Sequence, residues 1–164
     1  MPRIAGEHGG MPSADPYGEM NEMMIEQLQG DAAAIAPLIG EYKRAIGEEP
    51  LQTEALAALQ AAIQRGDIVF FVAMDGDAPA AMCSVTRTFS TYRCAYGGIF
   101  EDFYVRPQYR KTGLARALVD RAFAFCREHG IASLWVGSAD CDVQMYRHLG
   151  FTVPLGNLLA WSAE

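Results

Sequence analysis

The stretch Phe100-Glu101-Asp102-Phe103-Tyr104-Val105-Arg106-Pro107-Gln108-Tyr109-Arg110-Lys111-Thr112-Gly113-Leu114-Ala115 decides how the rest of the chain is read. It opens as an apolar strand interrupted by two acids. At Arg106-Pro107 the chain turns, because proline fixes its own φ and disfavours helix in the residue before it. A short basic loop with one glycine follows. From Leu114 the apolar residues Leu118, Ala122, Phe125 and Cys126 recur at helical spacing, as far as His129. A helix beginning at this loop directs several unpaired backbone N–H groups outward, together with the positive end of its dipole. That combination is a socket for phosphate. Gly113 permits close backbone approach, Ala115 keeps the following position small, and Arg110 and Lys111 add positive charge. The junction implies a phosphorylated cofactor held at the loop, with chemistry carried out beside the strand.

The run Val105-Arg106-Pro107, then Arg110-Lys111-Thr112-Gly113-Leu114-Ala115, resembles the acetyl-CoA signature of the GNAT N-acetyltransferase superfamily. That signature reads Arg/Gln-x-x-Gly-x-Gly/Ala, after a strand and at the opening of a helix. Downstream, Met145-Tyr146-Arg147-His148-Leu149-Gly150-Phe151 resembles the aromatic-Tyr-x-x-x-Gly-Phe ending of the family's last helix. The two elements stand about as far apart as a helix, a strand and another helix require. The Glu101-Asp102 pair resembles the diamine and polyamine acetyltransferase branch. The resemblance implies acetyl-CoA as co-substrate, no metal, and direct attack by the primary amine of a small molecule in a ternary complex. Family members commonly dimerise, which the residues alone leave open.

Acetyl transfer from a thioester to an amine needs a polarised carbonyl, a deprotonated amine and a protonated leaving sulfur. A lysine-like amine has a pKa of about 10.4, so neutralising it at pH 7 costs roughly 4.6 kcal/mol. A positioned base is therefore worth having. By resemblance Glu101 is that base, and Asp102 an orienting or substrate-binding group. Strand alternation predicts Glu101, Phe103 and Val105 on one face and Asp102 and Tyr104 on the other, so that a single carboxylate faces any one reactant. Either acid could instead pair with a nearby Arg or Lys, or cap a turn. Tyr146 is the family's general acid for the coenzyme sulfur. A phenol suits a thiolate leaving group better than a carboxylic acid does, although a core tyrosine bonded locally would have the same sequence. The backbone of Phe103, Tyr104 and Val105 is expected to run beside the pantetheine arm, and Arg110, Lys111, Thr112, Gly113, Leu114 and Ala115 to bind the pyrophosphate.

Two positions depart from the family pattern. Ala139 stands seven residues before the tyrosine, where Asn is common, and Asp142 four residues before it, where Ala is common. Ser138 or Asp140 could take over the missing Asn contact. Lys111 occupies a loop position usually held by glycine. Phe89-Ser90-Thr91-Tyr92-Arg93 resembles the Ser-Thr-aromatic segment before the acidic strand in diamine acetyltransferases, and Tyr92 could line an amine pocket by cation–π contact. An exposed loop tyrosine reads equally well there. The acceptor could also be an antibiotic, an amino acid or a peptide. A non-catalytic acyl-CoA sensor would keep the phosphate loop without using Glu101 or Tyr146.

Composition narrows the field. At 164 residues and 51% hydrophobic the chain can bury one sizeable core. A net charge of −7 without a basic stripe argues against a nucleic-acid partner, and would steer cationic substrates or simply maintain solubility. Among the four cysteines, Cys83, Cys94, Cys126 and Cys141, there is no Cys-x-x-Cys pair, and the three histidines are scattered singly. The opening residues are polar and glycine-rich, and no apolar run reaches the roughly 18 residues of a membrane span. A reduced cytoplasmic protein without membrane partners is the expectation.

Residues 1 to about 20 read as a disordered tail, and 21–164 as a single domain. A strand over 24–28 leads to a helix that Asp31 caps and Gly47 ends, with Ile35, Leu38, Ile39, Tyr42 and Ile46 as its stripe. A second helix runs from Thr53 to Gly66. Strands over 68–73 and 80–85 flank the turn signal Asp75-Gly76-Asp77. A looser stretch from Thr86 to Arg93 precedes the acidic strand. After the helix that follows Gly113 come a strand over 133–136, a short helix over 140–149, and closing strands at Phe151–Val153 and Leu158–Trp161. This is an α/β fold: a mixed, mostly antiparallel central sheet flanked by helices, with one strand–helix–strand unit for acetyl-CoA.

Overall fold

The computed structural model describes residues 23–156 and Trp161. In chain order the elements are β1 (Ile25–Gln27), α1 (Ala36–Ala45), α2 (Thr53–Arg65), β2 (Ile68–Asp75), β3 (Ala78–Ser90), β4 (Ala95–Val105), α3 (Leu114–Glu128), β5 (Ile131–Trp135) and α4 (Val143–His148). Single 3-10 turns occur at Ala32–Ala34, Pro107–Tyr109 and Asp140–Asp142. The five strands form one sheet in the order β1-β2-β3-β4-β5. The first four pair antiparallel, and β5 joins β4 in parallel through α3. The mixed sheet and its strand–helix–strand unit match the sequence expectation.

β2 reads as an unbroken apolar run because both its faces are covered. Phe71 and Ala73 pack on the face beneath α3, with Leu118, Val119, Ala122 and Phe125. Phe70 and Val72 pack on the opposite face with Ile35, Leu38 and Ile39. Asp31 caps the first helical turn, its carboxylate accepting from the Ala33 N–H at 2.8 Å. The two-residue β2–β3 turn places Gly76 at φ 58°, a left-handed conformation that glycine adopts at little steric cost.

Two elements differ from the sequence reading. The stretch from Thr86 is not loose: β3 continues to Ser90, and only 91–94 turn. Its stabilisation is cross-strand, since Phe89 lies opposite Tyr96 with ring centroids 5.3 Å apart, and the Arg87 guanidinium stands 4.3 Å from the Tyr96 ring centroid. Phe151–Val153 is not a strand. Phe151 is instead drawn into the aromatic cluster of Phe100, Phe123 and Tyr146, with centroids 5.2–5.9 Å away. The expected tail at 1–20 and the strand residues Leu158–Ala160 lie outside the described residues.

Candidate active site

The acidic strand departs from simple alternation, and the site depends on that departure. Tyr104 pairs with Met82 and Glu101 with Ser84, so Asp102 and Phe103 together stand opposite Cys83 alone. This is a β-bulge. Asp102 adopts φ 50°, unusual for a residue with a side chain. The bulge puts Phe100 and Phe103 on the same face, their ring centroids 5.3 Å apart, although they are three residues apart. It also puts both carboxylates on the other face. The Ser84 hydroxyl donates to Asp102 Oδ2 at 2.6 Å, Glu101 is the residue opposite Ser84, and Glu101 accepts from the Thr86 side chain. The expected split of Glu101, Phe103 and Val105 from Asp102 and Tyr104 is therefore corrected: Glu101 lies with Asp102.

The two acids line one cavity of about 320 Å³ with Tyr42, Phe103, Gly137 and Tyr146. Burial and the neighbouring Asp102 raise the Glu101 pKa above the usual carboxylate value, against a lowering from Thr86. Burial raises Asp102 as well, with Ser84 and Lys43 acting in the opposite sense. Tyr146 is pushed up to about 12, first by burial, then by Tyr42 and Asp142. One wall of the cavity is an open strand edge. β4 pairs with β5 only through Ile99, so Phe100–Val105 have no strand on that side among the described residues.

At the end of this edge the loop turns into α3. The Arg110 Nε donates to the Val105 carbonyl at 3.0 Å, and the Thr112 hydroxyl to the Tyr109 carbonyl at 2.7 Å. Leu114 is a core residue and Ala115 packs against the core, so these two offer the loop their N–H groups only. The first intrahelical bond runs from Ala117 to the Gly113 carbonyl, and the N–H groups of Lys111 to Arg116 meet no acceptor among the described residues. Gly113 has φ 89°, and a Cβ there would point into open space. Such a row of donors around an unobstructed cradle fits a pyrophosphate. Lys111 adopts φ 64°, the left-handed conformation that explains why glycine is favoured there. Lys111→Gly is expected to relieve about 1 kcal/mol of backbone strain, partly offset by greater unfolded-state entropy. A thermal melt with an unchanged or slightly higher Tm checks it.

The family model described as "Acetyltransferase (GNAT) domain" matches residues 66–153, from the start of β2 to just past α4. The chain belongs to the GNAT acetyltransferase family. A thialysine N-epsilon-acetyltransferase of Caenorhabditis elegans is 39% identical over 64 residues. That alignment spans 39% of this chain and 39% of the relative's length. Among solved structures, an aminoglycoside acetyltransferase from an uncultured soil metagenomic sample, in complex with sisomicin, superposes with TM-score 0.77 at 16% identity, covering 87% of this chain and 96% of its own. A predicted acetyltransferase from Clostridium acetobutylicum with acetyl-CoA gives TM-score 0.67 at 20% identity, covering 84% and 96%. These structural likenesses establish the GNAT fold. The enzyme class expected from the sequence, an acetyl-CoA-dependent acyltransferase, is that of the family.

Within this GNAT domain the structure brings Glu101, Asp102, Phe103 and Tyr146 to one cleft and leaves Tyr92 out. Tyr92 sits at the β3–β4 hairpin tip, 96% exposed, and lines neither cleft cavity, because β3 and β4 extend the hairpin well past the acids. Two residues missed by sequence reasoning join the site: Tyr42 and Lys43, both from α1. Arg106 holds that helix against the end of β4, donating to the two Glu41 carboxylate oxygens at 2.9 and 2.8 Å. The only sequence signal was a tyrosine in an otherwise aliphatic stripe. No helix among the described residues is long and apolar enough to cross a membrane.

Proposed function

We propose that the protein transfers an acetyl group from acetyl-CoA to the primary amine of a small molecule. The observation that carries this reading is one cleft that lines two carboxylates and two tyrosines beside an open strand edge ending at a phosphate cradle. Relatives support the acceptor class: one is named for thialysine acetylation, and another was solved with sisomicin. When bound, acetyl-CoA supplies the activated thioester carbonyl. The N–H groups of Lys111 to Arg116 hold its pyrophosphate, and the open edge of β4 at Phe103 and Val105 runs beside its pantetheine arm, the Tyr104 backbone being turned toward Met82 of β3. The Val105 carbonyl is already taken by Arg110, which leaves its N–H for that role.

Glu101 accepts the proton the amine must lose. Its raised pKa brings it closer to that of an amine, which lessens the uphill cost of the transfer. Asp102 sustains that elevation through like charge, and Ser84 holds its carboxylate in place. Tyr146 faces the leaving sulfur as a donor. At a pKa of about 12 it stays protonated at neutral pH. Full transfer to a thiolate, whose acid has a pKa of about 8.5, is uphill by about 5 kcal/mol, so Tyr146 stabilises the sulfur by hydrogen bonding. Tyr146→Phe is expected to lower kcat by about ten- to a hundredfold, with KM and Tm little changed because the ring packing on Phe103 and Phe151 is kept. Steady-state kinetics and a melt check it.

The deciding experiment is coenzyme A release from acetyl-CoA over a panel of polyamines, diamines, amino acids, aminoglycosides and a peptide, with product masses confirmed. Turnover of one class supports the reading. Acetyl-CoA binding with no turnover of any amine points to a sensor, and absence of acetyl-CoA binding overturns the proposal.

A further inference from the structure

Among the described residues, four ionisable side chains line the acid cavity: Glu101, Asp102, Tyr146 and Tyr42. The first three have a role in the transfer, and Tyr42 has none so far. It comes from α1 and lines both the acid cavity and a neighbouring one of about 370 Å³ beneath that helix. Burial first, then Asp102 and Glu101, raise its pKa above the ordinary phenol value, so its hydroxyl is uncharged at neutral pH. Tyr42 acts in turn on Tyr146. Two contacts set where it stands. Its ring packs on Tyr104 of β4, with centroids 6.0 Å apart and planes at 45°. The residue before it, Glu41, is gripped at both oxygens by Arg106, and the two side chains are only 31% and 18% exposed. Arg106 is itself anchored, its N–H donating to the Ala80 carbonyl of β3 at 3.1 Å. α1 also buries Leu38 and Ile39, but apolar burial has no directional preference. Consecutive helical residues project about 100° apart, so a two-point grip on Glu41 fixes the direction of Tyr42 as well.

We infer that Tyr42 contacts the acceptor, its hydroxyl oxygen orienting the reacting nitrogen, and that Glu41 and Arg106 are positioning residues that act through it. The inference rests on the amine-acetyltransferase reading above. The phenol oxygen accepts one N–H of the incoming amine while another N–H gives its proton to Glu101. The lone pair released on nitrogen is then turned toward the thioester carbon. The N–C bond forms, the C–S bond breaks, and Tyr42 keeps its own proton throughout. A neutral oxygen serves better here than a charged one. A third carboxylate would hold the amine as ammonium and make its proton harder to remove.

Tyr42→Phe keeps the ring against Tyr104 and removes only the oxygen. It is expected to lower kcat/KM for the amine by about ten- to a hundredfold, the range of one hydrogen bond to a charged group. The Kd for acetyl-CoA stays at the wild-type value, which also shows that the variant is folded. Because the contact is with the reacting nitrogen, spermidine, L-lysine and sisomicin lose by a similar factor, whichever of them are turned over. Glu41→Ala and Arg106→Met lower kcat/KM in the same way, by no more than Tyr42→Phe does. The decisive comparison is the double variant. With Tyr42→Phe already present, Glu41→Ala costs nothing further, because the hydroxyl it positions is gone. An ion pair that merely stabilises the fold would add its full loss in that background, and this outcome overturns the positioning role. Tyr42→Phe kinetics equal to wild type overturn the acceptor contact, as does a loss confined to one of several amines turned over. In both cases the proposed function stands. A wild-type protein that acetylates no amine fails the proposed function itself, and the inference with it.

Discussion

Replacing Glu101 by Gln lowers kcat by about a hundredfold or more, the range of a positioned general base, while the Kd for acetyl-CoA stays close to wild type. Glutamine keeps the size and the contact with Thr86 and removes only the proton acceptor. Calorimetric titration of the cofactor beside steady-state kinetics separates the two effects, and an equal loss in both would assign Glu101 to cofactor binding. The acid limb of the pH profile carries further information. Glu101 must be ionised to act, and burial with the nearby Asp102 raises its pKa. Activity is therefore lost on acidification at a higher pH than an ordinary carboxylate would give. Asp102→Asn removes the neighbouring negative charge, so it lowers the Glu101 pKa and moves that limb to lower pH. The asparagine side-chain oxygen can still accept from Ser84, whose hydroxyl donates to Asp102 at 2.6 Å. A limb that stays in place in the Asp102→Asn variant would break the link between the two acids.

Gly113→Val abolishes measurable acetyl-CoA binding, with at least about a hundredfold rise in Kd expected. The backbone there has φ 89°, which costs an L-residue roughly 1–2 kcal/mol and a β-branched one more. The added side chain also projects into the open cradle in front of the donors from Lys111 to Arg116. Two losses coincide: the loop shifts to relieve φ, and the phosphate loses its seat. Because that space is empty of protein atoms, the fold survives better than the binding does. Cofactor titration and a thermal melt on the same sample make the distinction. A variant that melts normally and binds acetyl-CoA normally would remove the loop from the cofactor site.

The conformation of the loop before α3 was legible because its signals are local. Arg106-Pro107 turns the chain, Gly113 supplies a conformation few residues tolerate, and the 3.6-residue period from Leu114 onward sets the helix direction. Each acts within a few residues, so reading along the chain suffices. The same holds for the hairpin turn at Gly76. The site acids were legible as types but not in their arrangement. Alternation assumes one residue opposite one residue, whereas Asp102 and Phe103 share Cys83 as their partner. Nothing in Glu101-Asp102-Phe103 announces that mismatch, because it is settled by apolar packing. With the bulge, Phe100, Phe103 and Val105 all join the core beneath α3. Without it, Phe100 and Phe103 would point to opposite faces.

Long-range packing decided the remainder. Phe89 and Tyr96 extend the β3–β4 hairpin by facing each other across it, which carries Tyr92 away from the cleft. Phe151 left its expected strand for an aromatic cluster whose members come from β4, α3 and α4. Glu41 and Arg106, 65 residues apart, clamp α1 so that Tyr42 and Lys43 reach the acids. The sequence by itself determined the fold class, the turn and glycine that open α3 and the chemical types of the candidate groups, since turn, cap and periodicity preferences are properties of neighbouring residues. Only the tertiary structure decided which face those groups share and what charge stands across from them. Strand register and helix docking are chosen by burying apolar surface between residues far apart in the chain.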